Sequence, residues 1–373
     1  MWNWISKVFG FKQQDRQLIN QFIELLKEED RSDANDRLSK PTRQDQNLID
    51  AIREQTEKAN RNNLTRTEAY LTFFQQHPEI HWAFLAHMVS RNGGWSMTDV
   101  KGSLLRPVLS EQMVQSLFDM FERSNWLIFH DAYPQLLVYA ASVRHGKPLF
   151  HLLPHFGISR FMTKVWPSFW QEKKSSLLTI ALIVNEQQYI EKRIVQHPHY
   201  RRTVLQTARF KLQTAFDFNQ VVFPVAAESD RPRLVGRTMH NFRNVTHRIK
   251  TGRMLYLMLF HPSNCSRVYD WAVTHPHTGS RADYWPKRFD EKDSSSSDKV
   301  YSPVLHDAWP DVEHRTAEKG DWYVDPSSLS VIPEVTAYSE RNFYVTDVYE
   351  RSFRRLKILS YVAGAKHLFS RQG

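Results

Sequence analysis

The sequence predicts a mainly α-helical protein: a multi-helix globular domain with helical N- and C-terminal extensions and at most a small β-hairpin. Three observations point there. Apolar residues recur at helical spacing through most of the 373 residues. Only 12 residues are glycine, about half the usual ~7% share and too few for a turn-rich β protein. Strand-like patterning is confined to two short runs. Hydrophobic residues make up 41% of the chain and aromatics 13%, ample for a packed interior.

Residues 13–62 are polar and charged, yet Leu18, Phe22, Leu25 and Leu26, and then Leu48, Ile52 and Thr56, fall on helical faces. Ser39-Lys40-Pro41-Thr42 breaks them into two amphipathic helices, so residues 1–62 read as an N-terminal extension. A helical core domain is expected over 63–286. Its first helices are signalled by Tyr70, Phe73 and Phe74, by Pro78 at a first helical position ahead of Trp82, Leu85 and Val89, and by Met113, Leu117, Met120 and Phe121. The polar string Ser90-Arg91-Asn92-Gly93-Gly94 reads as a helix end with the glycines as the stop, and Ser96 as the cap of a short helix into Asp99.

Further helices are expected over 135–145, 159–171, 175–195 and 201–218. Residues 220–225 and 233–238 are β-like and flank a turn at 227–232, a pattern that suits a hairpin. Helical spacing returns over 241–260, and 265–273 adds a short helix. Residues 287–299, KRFDEKDSSSSDK, hold too little apolar surface to offset the entropy of ordering and are expected to form a flexible loop. The 300–373 segment ends in a basic helix from about Thr346 to Phe369, capped by Thr346 and Asp347.

The longest apolar runs, 177–184 and 254–260, fall well short of the ~20 residues that cross a bilayer, so no transmembrane helix is expected. The opening MWNWISKVFGFK lacks the apolar stretch and small-residue cleavage site of a secretory signal, and a cytoplasmic location is expected. Cys265 is the sole cysteine, which excludes an internal disulfide and a multi-cysteine zinc site, and it reads as packing.

The formal net charge is +10, and residues 192–253 alone carry thirteen Lys/Arg against Asp217, Glu228 and Asp230, also +10. Most of these cations are arginines, whose planar fork suits phosphate or carboxylate. On the 201–218 helix, Arg202, Gln206, Arg209 and Gln213 form a polar stripe. The leading expectation is therefore an intracellular protein that binds an anionic ligand, a nucleotide, nucleic acid or acidic lipid, through Arg202, Arg209, Arg243 and Arg248. The plainer alternative is a solvated face, partly paired with the acidic segment 290–325.

Several constellations suit a pocket instead. Glu186 lies on an apolar helix face with Leu182, Ile183, Tyr189 and Ile190, where a carboxylate must be paired or shifted in pKa; a salt bridge from Arg193 or another core arginine is the expected outcome, and a general acid/base role the alternative. The string from Ser90 to Asp99 and that from Thr278 to Trp285 share hydroxyl, Arg, Asp and Trp around glycine. If they meet, Arg91, Asn92 and Arg281 become ligand contacts and Asp99, Glu186, Asp283 and His87 catalytic candidates, with His81 nearby.

Four His-Pro pairs, at 77, 197, 261 and 275, read as helix punctuation, and no metal site is assigned to their histidines. His130-Asp131 resembles the doublet of the HD-type metal phosphohydrolases, with His87 and Asp217 in the remaining places, so a metal-dependent phosphohydrolase is one form of the enzyme reading. No cofactor follows from the residues. The aromatic, basic residues 1–12 suit peripheral contact with an anionic membrane, and so does the final helix with Arg351, Arg354, Arg355, Lys357 and Lys366; the alternative for both is docking onto the protein's own core, which is the expected outcome for the final helix.

The runs NLTRTEAY, HWAFLAHMVSRNGGWSMTDVKG, ALIVNEQQYIEKR and HTGSRADYWP resemble an uncharacterised domain-of-unknown-function family of Bacillus-type Firmicutes over about residues 63–286 and part of the tail. The resemblance implies a bacterial, cytoplasmic origin and transfers no catalytic residue.

Overall fold

The computed structural model describes residues 20–24, 26, 40–207, 220–225, 233–239, 241–293, 298–332 and 343–370. The architecture is mainly α, with two small two-stranded sheets among the described residues. Helix α1 (Arg43–Ala59) starts at Thr42, which forms a capping box with Asp45. Helices α2 (Asn63–Gln76) and α3 (His81–Asp99) pack side by side and lean on α4 (Glu111–His145). Then come α5 (Arg160–Glu172) and α6 (Ser175–Ile190). From Leu177 to Asn185 every residue of α6 is buried, because α3, α4, α5 and α7 (Val245–Leu259) enclose it. A helix apolar on all sides is stable only in such a position.

The hairpin falls on the expected residues. β1 (Gln220–Val225) pairs antiparallel with β2 (Arg233–Thr238), with Val222 opposite Gly236. Helix α8 (Cys265–Thr274) follows α7, and α9 (Thr346–Ser370) closes the described chain. Residues 289–290 and 300–301 form a parallel pair, β3 with β4, so the ends of the charged 287–299 stretch are tied together; 294–297 lie outside the described residues.

Other expectations need correcting. Helix α3 does not stop at Gly93-Gly94 but runs through to Asp99, and Ser96 bonds back to the Asn92 carbonyl at 2.8 Å instead of capping a new helix. The two helices read over 113–121 and 135–145 are one, with Pro134 inside α4 at the cost of one backbone bond. Helix α6 ends at Ile190 and passes into a widened π turn, Glu191–Val195. Pro78 precedes α3, which begins at His81. Thr346 does not cap α9: its hydroxyl accepts the Leu234 N–H at 3.0 Å and ties the helix to β2. The His-Pro pairs do punctuate, since His77 ends α2, His275 ends α8 and His197 caps the turn beginning at Pro198. The 201–218 helix is described only as far as 207, where Arg201–Leu205 forms a second π turn.

Candidate functional site

The two polar strings meet, and they do so twice. The first meeting is a sealed clamp. Asn63 on α2 donates its Nδ2 to the Ser90 carbonyl and hydroxyl, each at 3.0 Å, which turns its Oδ1 toward His277 Nε2 at 2.8 Å. His277 Nδ1 faces Asp283 Oδ2 at 3.3 Å, and Asp283 also accepts the Thr278 N–H at 2.9 Å and its hydroxyl at 2.7 Å. Both ring nitrogens of His277 thus face acceptors, an arrangement complete only with a doubly protonated ring, while burial pulls its pKa down. Burial pushes the Asp283 carboxyl up, but the bonds from His277 and Thr278 outweigh it and hold the pKa below its usual value.

Arg91 completes the clamp by donating to the carbonyls of His275 (2.7 Å) and Pro276 (2.8 Å) while lying 4.6 Å over the Trp271 ring. Gly94 explains why α3 continues here: a Cβ would stand 2.4 Å from Asn63 Oδ1 and 2.7 Å from His277 Nε2. The glycine is needed for close approach, not for a helix stop.

The second meeting opens a cleft. Arg281 pairs with Asp99, donates to Tyr349 Oη and lies 4.1 Å over the Trp95 ring. Asp99 also accepts the Ser302 hydroxyl at 2.9 Å. This pair flanks an outer chamber of about 230 Å³ between α3, α4 and β1, walled by Val89, Met120, Phe121, Val221, Met239 and Phe242 and edged by Ser96, Asn125 and Gln220. Asn92 lines it too, but its amide is committed to β1, accepting the Val222 N–H at 2.9 Å and donating to the Val222 carbonyl at 3.0 Å.

Val89, Asn125, Val221 and Met239 are shared with an inner chamber of about 100 Å³ that reaches Arg66, Tyr70, Trp82, Glu186, Gln187 and Arg248. Glu186 keeps part of its surface accessible and lines this chamber. Trp82 Nε1 donates to it at 3.1 Å and Gln187 Nε2 at 2.7 Å. Burial pushes its pKa up to about 7 against those two bonds, with the charge of Asp131 adding to the rise. The expected salt bridge is not formed. Arg193 instead donates to the carbonyls of Tyr189, Glu318 and Gly320, and Arg248 is committed to Glu191, Gln187 and the Phe242 carbonyl.

The cleft therefore gathers Asn92, Asp99, Glu186, Arg248 and Arg281, while Arg91 and Asp283 belong to the clamp. His87 lines neither chamber: its Nδ1 faces the Thr67 carbonyl at 2.8 Å, and burial lowers its pKa to about 3, so it stays neutral. Burial does the same to His81, which meets Tyr256 Oη at 2.9 Å. Arg202 and Arg243 are exposed and Arg209 lies outside the described residues, as does Asp217. His130-Asp131 is split, with His130 stacked on Trp126 at 4.7 Å and Asp131 turned inward onto Asn185 at 2.6 Å and Gln135 at 3.0 Å. Burial raises the Asp131 pKa to about 7. Among the described residues no three His, Cys, Asp or Glu side chains group as a metal site. Burial pushes the Cys265 thiol up to about 12 and leaves it unreactive.

Sequence reasoning missed Arg66, Tyr70, Trp82, Asn125 and Gln220 as site residues. An arginine four residues before a buried tyrosine in NLTRTEAY was the available signal, because a cation on an apolar helix face needs a partner. Arg66 finds it in Glu122, whose carboxylate also meets His314 at 3.1 Å.

No helix among the described residues is long and apolar enough to cross a membrane. No solved structure matches the chain. It is 43% identical over 277 residues to a Bacillus subtilis (strain 168) protein described as "Uncharacterized protein YppC", covering 74% of this chain and 83% of that one. Residues 58–335 match the family described as "Protein of unknown function (DUF2515)", a span that takes in the clamp and the lining of both chambers. On that match and that identity, the chain belongs to this family of mainly helical proteins.

Proposed function

We propose that the protein binds a small, largely apolar molecule in the cleft, with Glu186 as the group that holds or exchanges a proton with it. The observation that supports this is a carboxyl without an ion-pair partner, enclosed by helices, in the inner of two adjoining, largely apolar chambers that share Val89, Asn125, Val221 and Met239. A carboxyl half-ionised near neutrality is suited to general acid or base work, so turnover of the bound molecule fits the same geometry. The location is cytoplasmic in this reading.

The test is binding of neutral apolar probes, 1-octanol and indole, followed by calorimetry. Val89 borders both chambers, so Val89→Phe should fill the neck and abolish binding while leaving the far-UV spectrum unchanged. Equal binding by the variant and the parent protein removes the reading.

A second reading rests on the exposure of Arg202 and Arg243 and on α9, where Ile358, Tyr361 and Val362 are 67%, 82% and 46% exposed among Arg351, Arg354, Arg355 and Lys357. These residues suit an anionic ligand or peripheral contact with an acidic membrane; residues 1–12 lie outside the described part. Salt titrations of duplex DNA, RNA and acidic vesicles test it, since each phosphate contact steepens the salt dependence.

A further inference from the structure

Which head group the inner chamber would accept can be argued from its unspent hydrogen-bonding capacity. Arg66 is 1% exposed and lines the chamber. Its terminal nitrogens are used: one donates to both Glu122 oxygens and the other to Asn60. Its Nε–H is buried with no acceptor. An orphaned buried donor is costly and rare, and it marks the place where an acceptor is missing.

The groups around Glu186 point the same way. The chamber around it is lined from α2 by Arg66 and Tyr70, from α3 by Trp82, whose N–H donates to Glu186, from its own helix by Gln187, which donates to it as well, and from α7 by Arg248, with Asp131 of α4 acting through its charge. The two cations that line the chamber are guanidiniums, and each is held by one carboxylate, Glu122 or Glu191. An ammonium has no lone pair to accept the free N–H, so that donor would stay unpaired. A carboxylate would meet the free N–H and a protonated Glu186.

Building on the cleft reading above, we infer that the inner chamber is a carboxylate site: an aliphatic or aromatic monocarboxylate places one oxygen on Arg66 Nε–H and shares the proton of Glu186, with its apolar body lying outward along Met120, Phe121 and Phe242. Binding conserves the proton. Glu186 enters as the acid and donates a hydrogen bond without transferring charge out of the site. When Glu186 is ionised, one proton must be taken from solvent, so binding weakens as pH rises above the value near which Glu186 titrates.

Isothermal titration calorimetry of the full chain with octanoate, 1-octanol and octylamine, at several values from pH 6 to 8.5 and in buffers of different ionisation enthalpy, tests this. Octanoate is expected to bind at least about tenfold more tightly than the other two at pH 6, to take up close to one proton above pH 7, and to lose about tenfold in affinity per pH unit there. In Glu186→Gln, whose amide still donates, octanoate should bind with no proton uptake and no pH dependence. Octanol or octylamine binding as well as octanoate, or octanoate binding without proton uptake, overturns the carboxylate assignment and leaves the cleft reading standing. Failure of all three probes overturns both.

Discussion

Asp283 and Glu186 are both carboxyls enclosed by helices, and they end in opposite states. Asp283 receives three hydrogen bonds, from the Thr278 N–H, the Thr278 hydroxyl and the His277 ring, and its pKa is held down. Glu186 receives two, from the neutral donors Trp82 and Gln187, and burial prevails to bring it to about 7. Enclosure alone does not decide what a buried carboxyl is for. The supply of donors does: a saturated carboxylate is a fastener, and an undersupplied one beside a cavity retains chemistry.

The comparison is most easily broken at the clamp. Asp283→Ala strands the Thr278 N–H, its hydroxyl and the His277 ring, and should cost about 3–5 kcal/mol by urea denaturation at pH 7. A loss under about 1 kcal/mol would show that the clamp fastens nothing.

Two neighbouring glycines sharpen the point with opposite signs. Gly94→Ala drives a methyl into Asn63 and His277 and should cost about 1–3 kcal/mol. Gly93→Ala meets only the Asn125 side chain, at 3.4 Å, so the helix preference for alanine should leave stability unchanged or raised by up to about 1 kcal/mol. Similar effects from both substitutions would contradict the close approach that keeps α3 helical.

Two buried carboxyls, Glu186 in the inner chamber and Asp131 held on Asn185 and Gln135, should write themselves into the pH dependence. Glu186 and Asp131 both have folded pKa values near 7, above their ordinary 4.5 and 3.8, so the folded state binds more protons than the unfolded one between those limits. Their contribution is fully present below the ordinary carboxyl pKa values and is lost as pH rises through 7, by roughly 1.4 kcal/mol for each pKa unit by which either group is raised. Denaturation midpoints measured from pH 5 to 8.5 should fall with pH, and less steeply in Glu186→Gln. The smallest effect is expected at the exposed arginines: Arg202→Ala and Arg243→Ala should change stability by less than about 0.5 kcal/mol, so any loss of anion binding in them would be local.

How far the sequence carried depended on whether a signal was local. The hairpin at 220–225 and 233–238 and most helices were readable because alternation and helical spacing act within a few residues. The juxtaposition of the Ser90–Asp99 and Thr278–Trp285 strings was suspected from matching composition, but their division into a sealed clamp and an open cleft was not readable. Gly93-Gly94 misled for the same reason. A glycine pair in a polar string looks like a stop unless Asn63 and His277, thirty and some one hundred and eighty residues away, are known to lean on it.

Left to itself, the chain's pattern determined a mainly helical protein and a carboxylate placed at Glu186 on the apolar face of α6. Only the tertiary structure decided that Arg193 and Arg248 would be spent elsewhere, that Trp82 and Gln187 would be its donors, and that a cavity would open beside it. Helical periodicity is set by neighbours three and four residues apart, whereas the ionisation of a buried group is set by whatever distant chain arrives within hydrogen-bonding reach.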